Sequence, residues 1–255
     1  MREKLKKIPI LKYIVICART FRLQYGFFQK IKFLLEFFKD YNSFRRLEKN
    51  IDYKIDTTDL FPRIYDKTSN HKLDPVYFLQ GTWCAKKIFQ GKPSEHYDVG
   101  SQALMVGIIS QFVRTTMIDI RPLDISLQGL SFVKGDITKL PFSNASIYSL
   151  SSICVIEHIG LGRYGDPLDQ FGTEKAVKEL VRVLAKRGSL YISVPVDIEN
   201  KVYFNAHRAF TRDHILKMFS TLSLVEEKYI YGQDIHTTYD AKRGFGTGLY
   251  HFKNI

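Results

Sequence analysis

Cysteine is scarce in this sequence: three in 255 residues, Cys17, Cys84 and Cys154, with no C-x-x-C pair. That excludes a disulfide framework and the common zinc-site spacings, and it predicts a reducing, cytoplasmic setting. Long apolar runs are also missing, since none reaches the roughly 18 to 20 residues that a membrane-spanning helix needs. Residues 8–18 look like a secretion signal in outline, but Pro9 and Lys12 interrupt them. No small-residue cleavage site follows, so a signal peptide is not expected. Signatures of DNA- or RNA-binding modules are absent, and no nucleic-acid partner is expected. Apolar material is plentiful: 45% hydrophobic residues suffice for a buried core and rule out general disorder.

Basic residues outnumber acidic ones by 38 to 26, and the surplus is local. Residues 1–50 hold 13 Lys and Arg against 4 Asp and Glu, so 9 of the 12 net positive charges sit there. The remainder is nearly balanced, so attraction to an anionic surface belongs to this arm. In FFQKIKFLLEFFKDYNSF, residues 27–44, the side chains of Phe28, Ile31, Leu34, Leu35 and Phe38 recur at three- and four-residue spacing. That pattern predicts an amphipathic helix. Such a helix either lies on an anionic membrane, here its inner face, or packs on its own domain or on a partner protein. Residues 50–75, rich in Asp, Thr, Asn and Lys with Pro62 and Pro75, read as a connecting segment. The expected organisation is a basic helical arm with its connector over 1–75 and a second domain over 76–255.

Beyond residue 93, β-rich runs alternate with helical ones, which predicts an α/β fold with a mostly parallel sheet and helices on both faces. Strands are expected at 96–99, 115–120, 130–133, 147–152 and 189–194. Helices are expected at 103–112, at 173–185 and from a Thr211 cap through Phe219. Runs 222–231 and 248–252 then supply antiparallel strands at one edge of the sheet.

In such sheets ligands bind beyond the carboxyl ends of the strands, where strand order reverses. Those ends carry Asp98 and Gly100, then Asp119, then Asp136, then Ser151 through His158. Asp119, about 20 residues past the glycine turn, is placed for both ribose hydroxyls of a nucleoside. Gly100 permits a sharp turn and a close approach of ligand to backbone. Asp98 then either binds an ammonium or holds the loop. The turn reads Asp98-Val99-Gly100-Ser101-Gln102-Ala103, without the further glycines that admit a pyrophosphate, which disfavours NAD. S-adenosylmethionine, an adenosine with a sulfonium and an ammonium, suits an acid-lined site better.

The ordered strings YDVGS, MIDIRPL, KGDITKLPF, SSICVIEHIGLG and LVRVLAKRGSLYISVPV, within residues 94–253, resemble the class I S-adenosylmethionine-dependent methyltransferases. The resemblance implies their Rossmann-like sheet and S-adenosylmethionine as cofactor. It implies that the segment of Asp98, Gly100 and Ser101 approaches the methionine moiety and that Asp119 holds the ribose. Asp136 would lie near the adenine amine, Ile120 and Ile137 would sandwich the adenine, and Ser151 would complete the cofactor set. Gln102 stands where that family usually has a second glycine. The strings EHIGLGRYGDPLD and VYFNAHRAF look like a methyltransferase-like family of unknown function that accompanies bacterial surface-polysaccharide genes. That likeness implies a sugar or sugar-linked acceptor, as in capsule synthesis.

Methyl transfer to oxygen needs an in-line approach and removal of the acceptor proton. His158 and His207 are the candidate bases. Between them, Gly160-Leu161-Gly162-Arg163-Tyr164-Gly165-Asp166-Pro167 has the make-up of a loop that folds over a ligand. Arg163 and Arg208 are expected to hold a phosphate or carboxylate through the guanidinium fork. Asp166 is expected to grip sugar hydroxyls or orient a histidine, and Tyr164 and Asn205 complete the expected acceptor set. No metal is expected. The leading expectation is a methyltransferase acting on an oxygen of a saccharide or sugar-linked phosphate. The alternative is a noncatalytic protein of the same fold that binds a glycan intermediate or a partner at the membrane surface.

Overall fold

The structure is a computed structural model that describes residues 26–47, 50, 52–54, 57, 60–69 and 71–255. The 8–18 stretch and Cys17 lie outside the described residues. The chain divides into two compact units, Met1–Lys72 and Leu73–Ile255.

In the first unit, α1 (Phe27–Arg46) forms where the three- and four-residue spacing predicts a helix. Arg45 and Arg46 in its last turn suit the negative end of the helix dipole. The Phe33 ring stands edge-on to Tyr65, and Lys67 bonds Asp40 at 3.3 Å. No residue of α1 is buried, and Phe27, Phe28 and Leu35 are exposed. No helix among the described residues is long and apolar enough to cross a membrane.

The second unit holds ten strands: β1 (Glu95–Val99), β2 (Arg114–Asp119), β3 (Leu130–Lys134), β4 (Ile147–Ile153), β5 (Leu184–Val196), β6 (Lys201–Tyr203), β7 (His207–Ala209), β8 (Ser223–Tyr231), β9 (Asp234–His236) and β10 (Gly246–Lys253). Eight form one sheet in the order β3-β2-β1-β4-β5-β10-β8-β9, while β6 and β7 form a separate hairpin. Strands β1 to β5 pair in parallel; β10 runs antiparallel to both β5 and β8, and β9 antiparallel to β8. Strand order reverses between β1 and β4, which puts the crevice there.

Alternation along the strands divides the apolar side chains between two faces. On one face Met117, Tyr191 and Leu249 pack with Trp83, Cys84 and Ile88 of α2 (Pro75–Gly91) and Met105 and Val106 of α3 (Ala103–Ile109). On the other, Ile118, Leu190 and Ile192 pack with Ala176, Val177 and Leu180 of α4 (Gly172–Val183) and Ile215 of α5 (Arg212–Met218). Thr211 caps α5 as expected, accepting from the His214 N–H at 3.3 Å.

Besides the short strands β6, β7 and β9, which the sequence reading does not contain, two helices depart from it. Helix α2 begins where the connector was expected to end; Asp74 caps it by accepting from the Val76 and Tyr77 N–H groups at 2.9 and 3.2 Å, and Pro75 fills its first turn. Helix α4 stops at Val183, because Leu184 and Ala185 are buried as the first residues of β5 rather than as a last helical turn.

Candidate functional site

The crevice is built from the turn that follows β1. Gly100 has φ +73, and its N–H donates to the Ile118 carbonyl at 2.8 Å, which bends the chain away from the sheet. A Cβ at this position would stand 2.8 Å from Val155 Cγ1. Above the turn lies a cavity of about 260 Å³ with apolar walls from Val99, Ile118, Ile120, Ile137 and Val155. Asp119 at the end of β2 and Asp136 just past β3 give it a polar edge, and His158, Tyr164 and Asp166 close it. A second cavity, of about 470 Å³, adjoins it beside Tyr77, Ser101 and Gln102; Gly100, Asp119, Arg121, Cys154 and Tyr164 line both.

A polar chain supports the turn from below. Asp98 is 0% exposed; it accepts from the Ser101 N–H at 3.0 Å, the Ser101 hydroxyl at 2.7 Å and the Ser151 hydroxyl. Ser151 in turn contacts His96 Nε2 at 2.9 Å, and the other ring nitrogen meets Ser149 at 2.9 Å. Burial pushes the Asp98 carboxyl up to about 6, against the pull of its three hydrogen bonds, and burial lowers His96 to about 3. These groups therefore fix the Gly100 turn instead of facing the ligand space.

After β4 the chain makes a tight excursion. Cys154 adopts φ +54, its Sγ 3.1 Å from the Gln80 side-chain oxygen, and a short 3-10 turn, Ile156–His158, follows. Glu157 is 1% exposed, and its Oε2 has no hydrogen-bond partner among the described residues. Burial raises its carboxyl to about 8, so it carries a proton at neutral pH. His158 Nδ1 lies 2.6 Å from the Ala206 carbonyl at the tip of the β6–β7 hairpin. A carbonyl only accepts, so Nδ1 holds the ring proton, and Nε2 faces Glu157 at 3.7 Å. Burial lowers His158 to about 4, with Arg163 and His207 adding to the shift and the Ala206 carbonyl opposing it. His207 is lowered as well, by burial and then by Arg163; its ring packs against Tyr203, Phe245 and His158.

Loop 160–167 is held shut by its own polar groups. Asp166 accepts from the N–H groups of Gly160 at 2.6 Å, Gly162 at 3.4 Å and Tyr164 at 3.2 Å. Arg208 is 8% exposed and donates to the carbonyls of Ile159, Asp169 and Gln170 at 2.6, 3.1 and 3.3 Å. The string Gly160-Leu161-Gly162-Arg163-Tyr164-Gly165 has the glycine spacing of a dinucleotide fingerprint, but it leads into an irregular loop rather than a helix N-terminus.

The expected residues thus separate into groups. Gly100, Asp119, Ile120, Asp136, Ile137, His158, Tyr164 and Asp166 line the first cavity, and Ser101 lines the second. Asp98 and Ser151 lie beneath the turn. Arg208, expected to hold an acceptor anion, spends its donors on loop carbonyls, and Asp166 spends its acceptors on loop N–H groups. Asn205 is exposed at φ +63 in the hairpin turn, outside both cavities. Arg163 donates to the Ala206 carbonyl at 3.0 Å and pairs with no carboxylate among the described residues. Sequence reasoning passed over Arg121, Glu157, Tyr77 and His96. The signal for Arg121 lay in the string MIDIRPL, two residues past the ribose-type acid; for the others only the fold brings them together.

Residues 111–243 match the family described as "Caenorhabditis protein of unknown function, DUF268". The chain belongs to this family. No curated protein matches the sequence of this DUF268 member. Its fold is similar to that of the N-methyltransferase NodS from Bradyrhizobium japonicum WM9 in complex with S-adenosylhomocysteine, at 17% identity over 71% of this chain and 88% of that one, with a TM-score of 0.51. It is likewise similar to the Burkholderia thailandensis 1,6-didemethyltoxoflavin-N1-methyltransferase with bound 1,6-didemethyltoxoflavin and S-adenosylhomocysteine, at 10% identity over 69% and 78% of the two chains, TM-score 0.51. The DUF268 chain therefore has the Rossmann-like class I methyltransferase fold.

Proposed function

We propose that the protein is an S-adenosylmethionine-dependent methyltransferase whose acceptor is an oxygen of a saccharide or sugar-linked phosphate, in surface-polysaccharide synthesis. The observation that carries the cofactor is the apolar slot at the sheet reversal, with Asp119 and Asp136 on successive strand ends. Apolar walls suit an adenine, Asp119 suits a ribose diol, and the second cavity beside Ser101 and Gln102 suits an amino-acid tail. Bound cofactor supplies the electrophilic methyl; the chain's own residues orient it, exclude water and take the acceptor proton.

An oxygen acceptor bearing negative charge is favoured by Arg163, which lacks a carboxylate partner among the described residues, and by His158 and His207, both neutral at pH 7. A protonated amine would meet that guanidinium with no anion to offset it. Of the two imidazoles His158 is the proposed base, because it lines the first cavity while His207 lines neither, and its Nδ1–H is donated to the Ala206 carbonyl, which leaves Nε2 to take the proton. The lysines and exposed aromatics of α1 are assigned to an anionic membrane surface at the cytoplasmic face, with a partner protein as the alternative.

Calorimetric titration with S-adenosylmethionine and S-adenosylhomocysteine tests the reading. Micromolar binding that disappears in Asp119→Ala is the expected result. No binding by the wild-type chain would reject it in favour of a noncatalytic protein of the same fold.

A further inference from the structure

Asp119, Arg121 and Tyr164 stand between the two cavities and line both. Arg121 grips Asp119 through three donors: its backbone N–H and Nε–H reach Oδ1 at 2.9 and 3.2 Å, and Nη2–H reaches Oδ2 at 3.1 Å. The same guanidinium lies over the Tyr164 ring, 4.6 Å from its centroid. Tyr164 belongs to loop 160–167, so one cation fastens that loop to the carboxylate.

A carboxylate offers about four acceptor positions. Arg121 fills three of them, and a vicinal diol donates two hydrogen bonds, one more than the remaining position can take. The first cavity, about 260 Å³, is also smaller than the roughly 300 to 1,000 Å³ typical of small-molecule sites. The space missing from it lies across the partition, in the adjoining cavity of about 470 Å³.

We infer that Arg121 and Tyr164 form a displaceable partition, which a ribose diol opens by taking the Asp119 carboxylate from the guanidinium. At least one of the two side-chain bonds breaks when the diol binds, and the fork that held Arg121 over Tyr164 is lost. The Arg121 side chain is 55% exposed, so the freed cation swings into water with little penalty. The two cavities then join into one cleft, and release of Tyr164 couples occupancy of the nucleoside end to the position of the loop above it. The inference rests on the cofactor reading proposed above.

The test is calorimetric titration of the full chain with S-adenosylhomocysteine, which has no net charge at neutral pH. Arg121→Ala removes the competing side chain and keeps the backbone N–H on Asp119, so binding should tighten by roughly three- to tenfold. Raising sodium chloride from roughly 50 mM to roughly 0.5 M screens the ion pair, so wild-type affinity should climb towards that of the variant, whose own affinity stays flat. Arg121→Lys keeps the charge without the fork and should fall between the two. Wild-type binding combined with equal or weaker binding by Arg121→Ala would overturn the partition and leave the cofactor reading standing. Failure of wild type and Arg121→Ala alike to bind would overturn both. Thermal melts of each variant establish that the compared chains are folded.

Discussion

Replacing Glu157 with glutamine isolates what a buried carboxyl does to stability across pH. The unfolded chain ionises this group at its ordinary value, 4.5, whereas burial holds the folded group at about 8. The folded state therefore keeps a proton that the unfolded state releases as pH passes 4.5, and stability declines from there until about pH 8, where the folded group ionises too. With 1.36 kcal/mol per pKa unit, the wild type should lose on the order of 3 kcal/mol between pH 5 and pH 8 relative to Glu157→Gln. That is a large share of a typical stability of about 5 to 15 kcal/mol. His158 contributes the opposite slope at lower pH, since its folded value of about 4 lies below the ordinary 6.5, but both proteins carry it and it cancels in the comparison. Urea denaturation of the two chains at half-unit pH steps reads the difference directly. A gap between them that does not change with pH would refute the reasoning, because it would mean that Glu157 is already ionised in the folded chain.

Two further substitutions probe the turn and the loop. Gly100→Ala sets a side chain at φ +73 and 2.8 Å from Val155 Cγ1, so it should cost about 1 to 3 kcal/mol in thermal or urea unfolding and weaken S-adenosylhomocysteine binding in the same titration. Arg208→Ala strips donors from three loop carbonyls; a loss of roughly 1 to 3 kcal/mol is expected, with faster proteolysis confined to residues 159–170. A melt unchanged from wild type would return Arg208 to the acceptor-binding role expected of it from sequence.

The parts of this fold that declare themselves in sequence are those where one physical signal dominates. Strand alternation separates Met117 from Ile118 and Leu190 from Tyr191, and Thr211 marks the start of α5 by its hydroxyl. Helix α2 escaped because its apolar residues are not confined to one stripe, although Asp74 and Pro75 carry a usable start signal. The β6–β7 hairpin escaped because three-residue strands are too short to show alternation. At the candidate site, Gly100, Asp119 and Asp136 stand out in sequence because strand ends at a sheet reversal are where ligands bind, and the structure places all three along the first cavity. Whether an acid there faces the cavity or the interior depends on which side of its strand it leaves from, and that is how Asp98 came to lie under the turn. Arg208 illustrates a harder limit: its function follows from three carbonyls, of Ile159, Asp169 and Gln170, brought together only by tertiary packing.

Strand β10 occupies the interior of the sheet, hydrogen-bonded to β5 on one side and to β8 on the other. Its register joins Lys253 to Ser189 and Gly246 to Val196, residues made 64 and 50 positions earlier. On the ribosome, β1 to β5 can assemble as they emerge and β8 can pair with β9, but the β8–β9 pair cannot join the rest of the sheet until β10 arrives between β8 and β5. The nascent domain therefore waits with the bare edges of β5 and β8 exposed, and such edges are templates for pairing with another chain. Arrival of β10 between β5 and β8, rather than completion of the parallel half of the sheet, is the step that seals those two edges against aggregation.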